Sequence, residues 1–293
     1  MLDGPSYRSR DFWIALAELA RINRPIGIYL LLWPALWALW LAADGHPSGA
    51  HILVFVVGTV LTRSAGCMVN DFADRDFDGF VRRTRDRPLV TGRVTAAQAL
   101  IAAAVLAGLA GLLLLATNRL TQLLAIPAVA LAVLYPFTKR VTHLPQLFLG
   151  AAFAWAVPMA FAAERGTLPP ESWLVYCATL LWTVAYDTQY AMVDRDDDLV
   201  IGVKSIAILF GAADLAMIAV LQGLMLFTLV LVGVRFELGV AYYAGLVAAA
   251  TLFAHQHWIM RTREREACFL AFVHNRWVGM VVFLGIFADT ILS

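Results

Sequence analysis

Two short stretches carry chemistry that their apolar surroundings do not favour. Residues 69–89, VNDFADRDFDGFVRRTRDRPL, put Asp71, Asp74, Asp76 and Asp78 into eight positions. Residues 184–205, VAYDTQYAMVDRDDDLVIGVKS, hold Asp187, Asp194, Asp196, Asp197 and Asp198. Continued as helix, Asp71, Asp74 and Asp78 sit at i, i+3 and i+7 on one face, with Asn70 beside them. Asp187, Asp194 and Asp198 sit at i, i+7 and i+11, again one face, while Asp76, Asp196 and Asp197 fall off these faces. Stacked like charges raise each other's pKa unless a cation lies between them. Carboxylates at such spacing suit a hard divalent ion, and Mg²⁺ takes one or two of them and fills its other positions with water and phosphate oxygens. Arg82, Arg83, Arg85 and Arg87 follow the first cluster, and Arg195 and Lys204 the second. Acids, metal and bases together describe a Mg²⁺–diphosphate site. Neither GxxxxGK[ST] nor GxGxxG occurs, so nucleotide binding is not indicated.

The elements that must position these clusters read as membrane helices. The 293 residues are 61% hydrophobic and 15% charged, against about 25% charged in a soluble domain. A spanning helix needs roughly 20 mostly apolar residues. Nine such stretches appear, at 25–43, 51–69, 95–116, 120–137, 145–163, 171–190, 211–233, 238–257 and 270–292. The expected fold is all-α and polytopic, one intramembrane domain over 1–293. Eighteen of the 22 Lys and Arg fall on the side of the N-terminus and the even-numbered loops, three on the other, and Arg63 lies inside a span. That bias predicts a cytoplasmic N-terminus and an active site facing the cytoplasm. The first 25 residues lack the apolar core of a signal peptide. Net charge of +1 gives no reason to expect a nucleic-acid partner.

Asp74 and Asp78 precede Asp194 and Asp198 by 120 residues, and four spans separate the ends of the second and sixth. This predicts a parallel internal repeat that brings both clusters to one site. Arg63, seven residues before Asn70, shares the motif's face, and an intramembrane charge normally turns inward to a partner. Lys139 and Arg140 end the fourth span, where they serve either as substrate ligands or as interfacial anchors. Tyr190, three after Asp187, reads as an acceptor contact or a packed core side chain. Cys67, Cys177 and Cys268 are widely separated and read as small hydrophobes. His255 and His257 have no carboxylate or cysteine nearby in sequence and suggest no metal site. A secondary carrier is the rival class, but its acidic residues would lie near the bilayer midplane between broken helices.

NDFADRDFD resembles the NDxxDxxxD motif of the intramembrane aromatic prenyltransferases, the UbiA superfamily, and DRDDD resembles their second motif, DxxxD, through Asp194 and Asp198. RPIGIYLLLWPALWAL, YPFTKRVTHLPQLFLG and YDTQYAMVDRDDDLVIGVKSIAILFG are similar to the branch that prenylates 4-hydroxybenzoate in ubiquinone biosynthesis. The resemblance covers about residues 20 to 290. It implies nine helices around a central cavity and Mg²⁺ held by Asp71, Asp74, Asp78, Asp194 and Asp198, with Asp187 joining them as a catalytic carboxylate. Candidate contacts for polyprenyl diphosphate and 4-hydroxybenzoate are Asn70, Arg63, Arg83, Arg87, Lys139, Arg140, Lys204 and Tyr190. A bacterial inner membrane is the implied location. Another acceptor within the same superfamily is the nearer alternative.

Overall fold

The computed structural model describes residues 9–76 and 78–292. All regular structure among them is helical, as backbone polar groups in lipid require when no closed barrel is present. In chain order the helices are α1 (Arg10–Leu19), α2 (Ile26–Ala42), α3 (Gly49–Asp74), α4 (Ala96–Leu113), α5 (Arg119–Thr138), α6 (Pro145–Ala154), α7 (Ala156–Arg165), α8 (Pro170–Ile201), α9 (Ile206–Phe210), α10 (Asp214–Arg235), α11 (Val240–Met260) and α12 (Arg265–Leu292). Helix covers each of the nine apolar stretches. Six segments are long and apolar enough to cross a membrane: Gly49–Asp74, Ala96–Ala116, Arg119–Thr138, Pro145–Arg165, Ile206–Arg235 and Arg265–Leu292. Ile26–Ala42 is a shorter apolar helix. The chain is a multi-pass membrane protein.

Local chemistry sets the ends. Thr95 and Gln98 form a reciprocal cap on α4, and the Asn118 side chain accepts from the Thr121 amide at the start of α5. Pro158 lacks the N–H that would bond the Ala154 carbonyl, and the fifth apolar stretch breaks at Trp155 into α6 and α7. Pro170 opens α8, and Gly202 closes it at a φ of 74°. With 32 residues, α8 is about 48 Å long at 1.5 Å per residue, well beyond the roughly 30 Å hydrocarbon core. Its last turns, with Asp194 and Asp198, therefore extend past the apolar part.

Two features depart from the sequence reading. A helix precedes the first apolar stretch: α1 buries Phe12, Ala15 and Leu19 against Ala65 and Met68 of α3 and Ala99 and Ala103 of α4. And α3 stops at Asp74, so Asp78 does not continue its face. Asp78 instead opens a separate 3₁₀ turn, 78–80, whose carbonyl accepts the Thr84 hydroxyl at 2.8 Å.

The core is aromatic and tightly packed. Trp37 of α2 stacks on Trp182 of α8 with ring centres 5.3 Å apart, and its Nε1 donates to the Gly279 carbonyl of α12 at 3.0 Å. Close approach of α11 to α12 rests on glycine: a Cβ on Gly245 would stand 2.8 Å from the Val281 carbonyl oxygen. Small residues at such crossings let two backbones meet, which is a main source of helix association in lipid.

Candidate active site

The ends of α3, α5 and α8, with the loops after α3 and α8, enclose a polar cavity of about 140 Å³. Asn70, Asp74 and Asp78 line it from the first motif; Asp187, Tyr190, Asp194 and Asp198 line it from α8. Arg83, Arg87, Tyr135, Lys139 and Lys204 complete the charged wall. A second cavity of about 1130 Å³ adjoins it and shares Asn70, Arg83, Arg87, Tyr135, Asp187 and Tyr190. Its deeper wall is apolar and small-residue rich, including Ala107, Ala110 and Gly111 of α4, Ala128 and Ala132 of α5, and Met159 of α7. Asp187, Asp194 and Asp198 all lie on the continuous helix α8, so the spacing expected of the second motif holds.

Each carboxylate of the first motif has a basic partner. Asp71, 1% exposed, takes Arg21 Nη2 at 2.8 Å and Arg87 Nη1 at 2.9 Å. Asp74 accepts Asn70 Nδ2 at 3.0 Å and faces Lys139 Nζ at 2.5 Å. Arg87 Nη1 also reaches Asp78 at 2.6 Å. On α8, Asp194 is gripped by Arg83 through Nε, at 3.0 and 3.1 Å, and through Nη2. Arg83 lies over the Tyr190 ring, 4.6 Å from its centre. No ion pair or side-chain hydrogen bond reaches Asp187 or Asp198 among the described residues. Burial, together with the Asp194 charge, pushes the Asp198 carboxyl up to about 7. Burial also raises Asp78, although Arg87 pulls it back and Asp74 and Asp71 push with the burial.

Among the described residues no three His, Cys, Asp or Glu side chains stand together closely enough to hold a metal by themselves. The donor set nonetheless suits Mg²⁺. It is all carboxylate and amide oxygen, drawn from both motifs into one small cavity, and Asp198 is short of positive charge. An ion that takes one or two carboxylates and completes its shell with phosphate oxygens needs no more. Asp71 borders the larger cavity only and is the most fully neutralised of the expected ligands.

The other expected site residues separate into two groups. Lys204 lines the polar cavity, its Nζ donating to the Val141 carbonyl at 3.3 Å. Arg63 borders the larger cavity, gives Nη1 to Cys67 Sγ at 2.9 Å, and keeps a buried Nε without a partner. Arg140 lines neither cavity; its Nη2 donates to the Ala73 carbonyl at 2.6 Å and secures the end of α3. Asp76 is exposed, and Asp196 and Asp197 turn to Arg265, so these three lie off the site as their register requires. His257 contacts Gln222, and the three cysteines are free.

Sequence reasoning missed Arg21 and Tyr135. Arg21, at a φ of 59°, follows a helix that the apolar pattern did not reveal. Tyr135 precedes Lys139 by one helical turn, and that spacing is a signal for it.

The chain is similar to known proteins over most of its length. The model of the UbiA prenyltransferase family matches residues 31–283. The 4-hydroxybenzoate octaprenyltransferase of Pseudomonas savastanoi pv. phaseolicola is 59% identical over 284 residues, covering 97% of this chain and 95% of that protein. The protein of the same name from Pseudomonas aeruginosa PAO1 is 56% identical over 282 residues, covering 96% and 94%. Among solved structures, the apo UbiA homolog from Aeropyrum pernix K1 superposes with a TM-score of 0.79 at 25% identity, over 90% of this chain and 97% of that one. The UbiA homolog from Archaeoglobus fulgidus bound to GPP and Mg²⁺ shares the fold, with a TM-score of 0.74 at 15% identity over 95% and 100%. Two acidic motifs on one cavity, a helical bundle of matching shape and a family match across most of the length converge, and the chain belongs to the UbiA prenyltransferase family.

Proposed function

We propose that this protein transfers a polyprenyl group from polyprenyl diphosphate to the ring carbon ortho to the hydroxyl of 4-hydroxybenzoate, giving 3-polyprenyl-4-hydroxybenzoate for ubiquinone synthesis. The observation that carries the reading is the pairing of a small acid-and-base-lined cavity with a large apolar one. The diphosphate head fits the first, and the isoprenoid tail and aromatic acceptor fit the second. Relatives of 56–59% identity named 4-hydroxybenzoate octaprenyltransferase support the acceptor.

The residues supply binding, orientation and a dry space. Asp74, Asp78, Asp194 and Asp198 would hold Mg²⁺, with Asp71 behind them. When bound, the ion neutralises charge that builds on the departing diphosphate. Arg83, Arg87, Lys139 and Lys204 line the same wall and would take phosphate oxygens. Tyr190 and Tyr135 stand where the cavities join and where the allylic cation must meet the ring. Asp187, with no partner of its own, faces this junction and can accept the proton that leaves the ring. The apolar wall keeps water from capturing the cation. Arg63, with its free Nε, is suited to the acceptor carboxylate.

We further infer one domain over 1–293, nine spans, a parallel repeat, a cytoplasmic N-terminus and a site opening to the cytoplasm at the bacterial inner membrane. The eighteen-to-three bias of Lys and Arg supports the orientation. The carrier alternative is disfavoured because the carboxylates gather at helix ends. Membranes supplied with Mg²⁺, labelled polyprenyl diphosphate and a panel of acceptors test the proposal. Product from 4-hydroxybenzoate supports it, and product only from another aromatic replaces the acceptor.

A further inference from the structure

Four of the arginines bordering the larger cavity pair with carboxylates. Arg21 and Arg87 hold Asp71, Arg83 holds Asp194, and Arg93 holds Glu18. Arg276, like Arg63, has no such partner among the described residues. It lies eleven residues into α12, in a segment apolar enough to cross the membrane, and it borders this cavity. Its Nε is buried without a partner, and its guanidinium carbon lies over the Trp277 ring, 4.8 Å from the ring centre. A buried guanidinium nitrogen is costly to leave unmet unless an anion or water reaches it.

The backbone that carries Arg276 is rigidly fixed. Asn275, fully buried, donates to Gln189 Oε1 at 2.8 Å and accepts Trp182 Nε1 at 2.9 Å. Gln189 in turn donates to Gln256 Oε1 at 2.9 Å. The hydrogen bonds from Asn275 to Gln189 and from Trp182 to Asn275 tie α12 to α8, two residues from Asp187. Arg276 is thus held at a set depth relative to the catalytic face of α8. It lines the apolar cavity and not the polar one that suits the diphosphate. Stacking on Trp277 leaves the guanidinium edge free for a planar anion.

The geometry points to Arg276 as a specificity-determining contact for the carboxylate of the aromatic acceptor, acting together with Arg63. This inference rests on the proposed acceptor class and adds a residue to it. Binding of 4-hydroxybenzoate and of its uncharged methyl ester to purified protein in nanodiscs, measured by calorimetry, separates charge recognition from packing. For Arg276→Gln, affinity for 4-hydroxybenzoate should fall about tenfold or more, as expected for loss of a charged hydrogen-bonding partner. The ester's affinity should scarcely move, Arg276→Lys should recover part of the loss, and the KM for polyprenyl diphosphate should hold. Equal losses for acid and ester would make Arg276 a packing residue and overturn the inference. A larger shift in the diphosphate KM would assign it to the phosphate and also overturn it. If the unaltered protein bound the acid no better than the ester, the acceptor reading itself would fail.

Discussion

Arg83 and Asp194, 111 positions apart, are joined through both Nε and Nη2, so the loop after the first acidic motif grips the second. The contact makes the two motifs one unit. Each carboxylate of the first motif and Asp194 thus has a basic partner.

If the motifs act as a unit, Asp74→Asn and Asp194→Asn should each nearly abolish prenyl transfer while the protein remains inserted and folded. The double variant should be scarcely worse than either single one, since groups that act together show strongly non-additive losses. Steady-state rates with and without EDTA check this. Full activity in EDTA would remove the shared Mg²⁺ site.

Arg63 and Arg140 should separate cleanly. Arg63→Ala should raise the KM for 4-hydroxybenzoate by about ten- to hundredfold, the worth of a charged hydrogen bond, with a smaller change for the diphosphate. Arg140→Ala removes the donor to the Ala73 carbonyl. It should lower kcat for every acceptor alike, because it loosens the end of α3 beside Asp74. An acceptor-selective effect at Arg140 would contradict that placement.

Topology is open to direct labelling. Single cysteines placed at exposed positions within 82–93 and 200–204 should react with a membrane-impermeant maleimide only from the cytoplasmic side. Labelling of either loop from outside would sink the orientation and, with it, the common side for both motifs.

Glycine at the α11–α12 crossing should matter for stability rather than chemistry. Gly245→Ala sets a methyl against the Val281 carbonyl at 2.8 Å, where the neighbour is backbone and cannot swing away. A cost of about 1–3 kcal/mol follows from overpacking. Gly285→Ala, whose nearest atom would be 3.2 Å away, should cost less. Thermal unfolding in detergent reads the difference, and an unchanged Tm for Gly245→Ala would refute the close approach.

The sequence by itself determined the parts that follow from local period and charge. Apolar runs of helical length fixed where the long helices lie, because lipid leaves the backbone no other local solution. The 3.6-residue period placed Asp187, Asp194 and Asp198 on one face of α8 and correctly turned Asp196 and Asp197 away from it. Motif wording identified the family. Other features depended on which distant groups meet. The position of Asp78 was decided by a 3₁₀ turn and the Thr84 hydroxyl, not by the face of α3. Arg21 reached Asp71 because α1 packs on α3 and α4, and no repeat in residues 10–24 signals that docking. Arg140 and Arg63 look alike as basic residues near apolar spans, yet one secures a helix end and the other faces the cavity. Arg276 became conspicuous only when the carboxylate partners of its neighbours were known. Charge spacing along a chain tells which residues can act; the partners that neutralise them are chosen by packing between helices far apart in sequence.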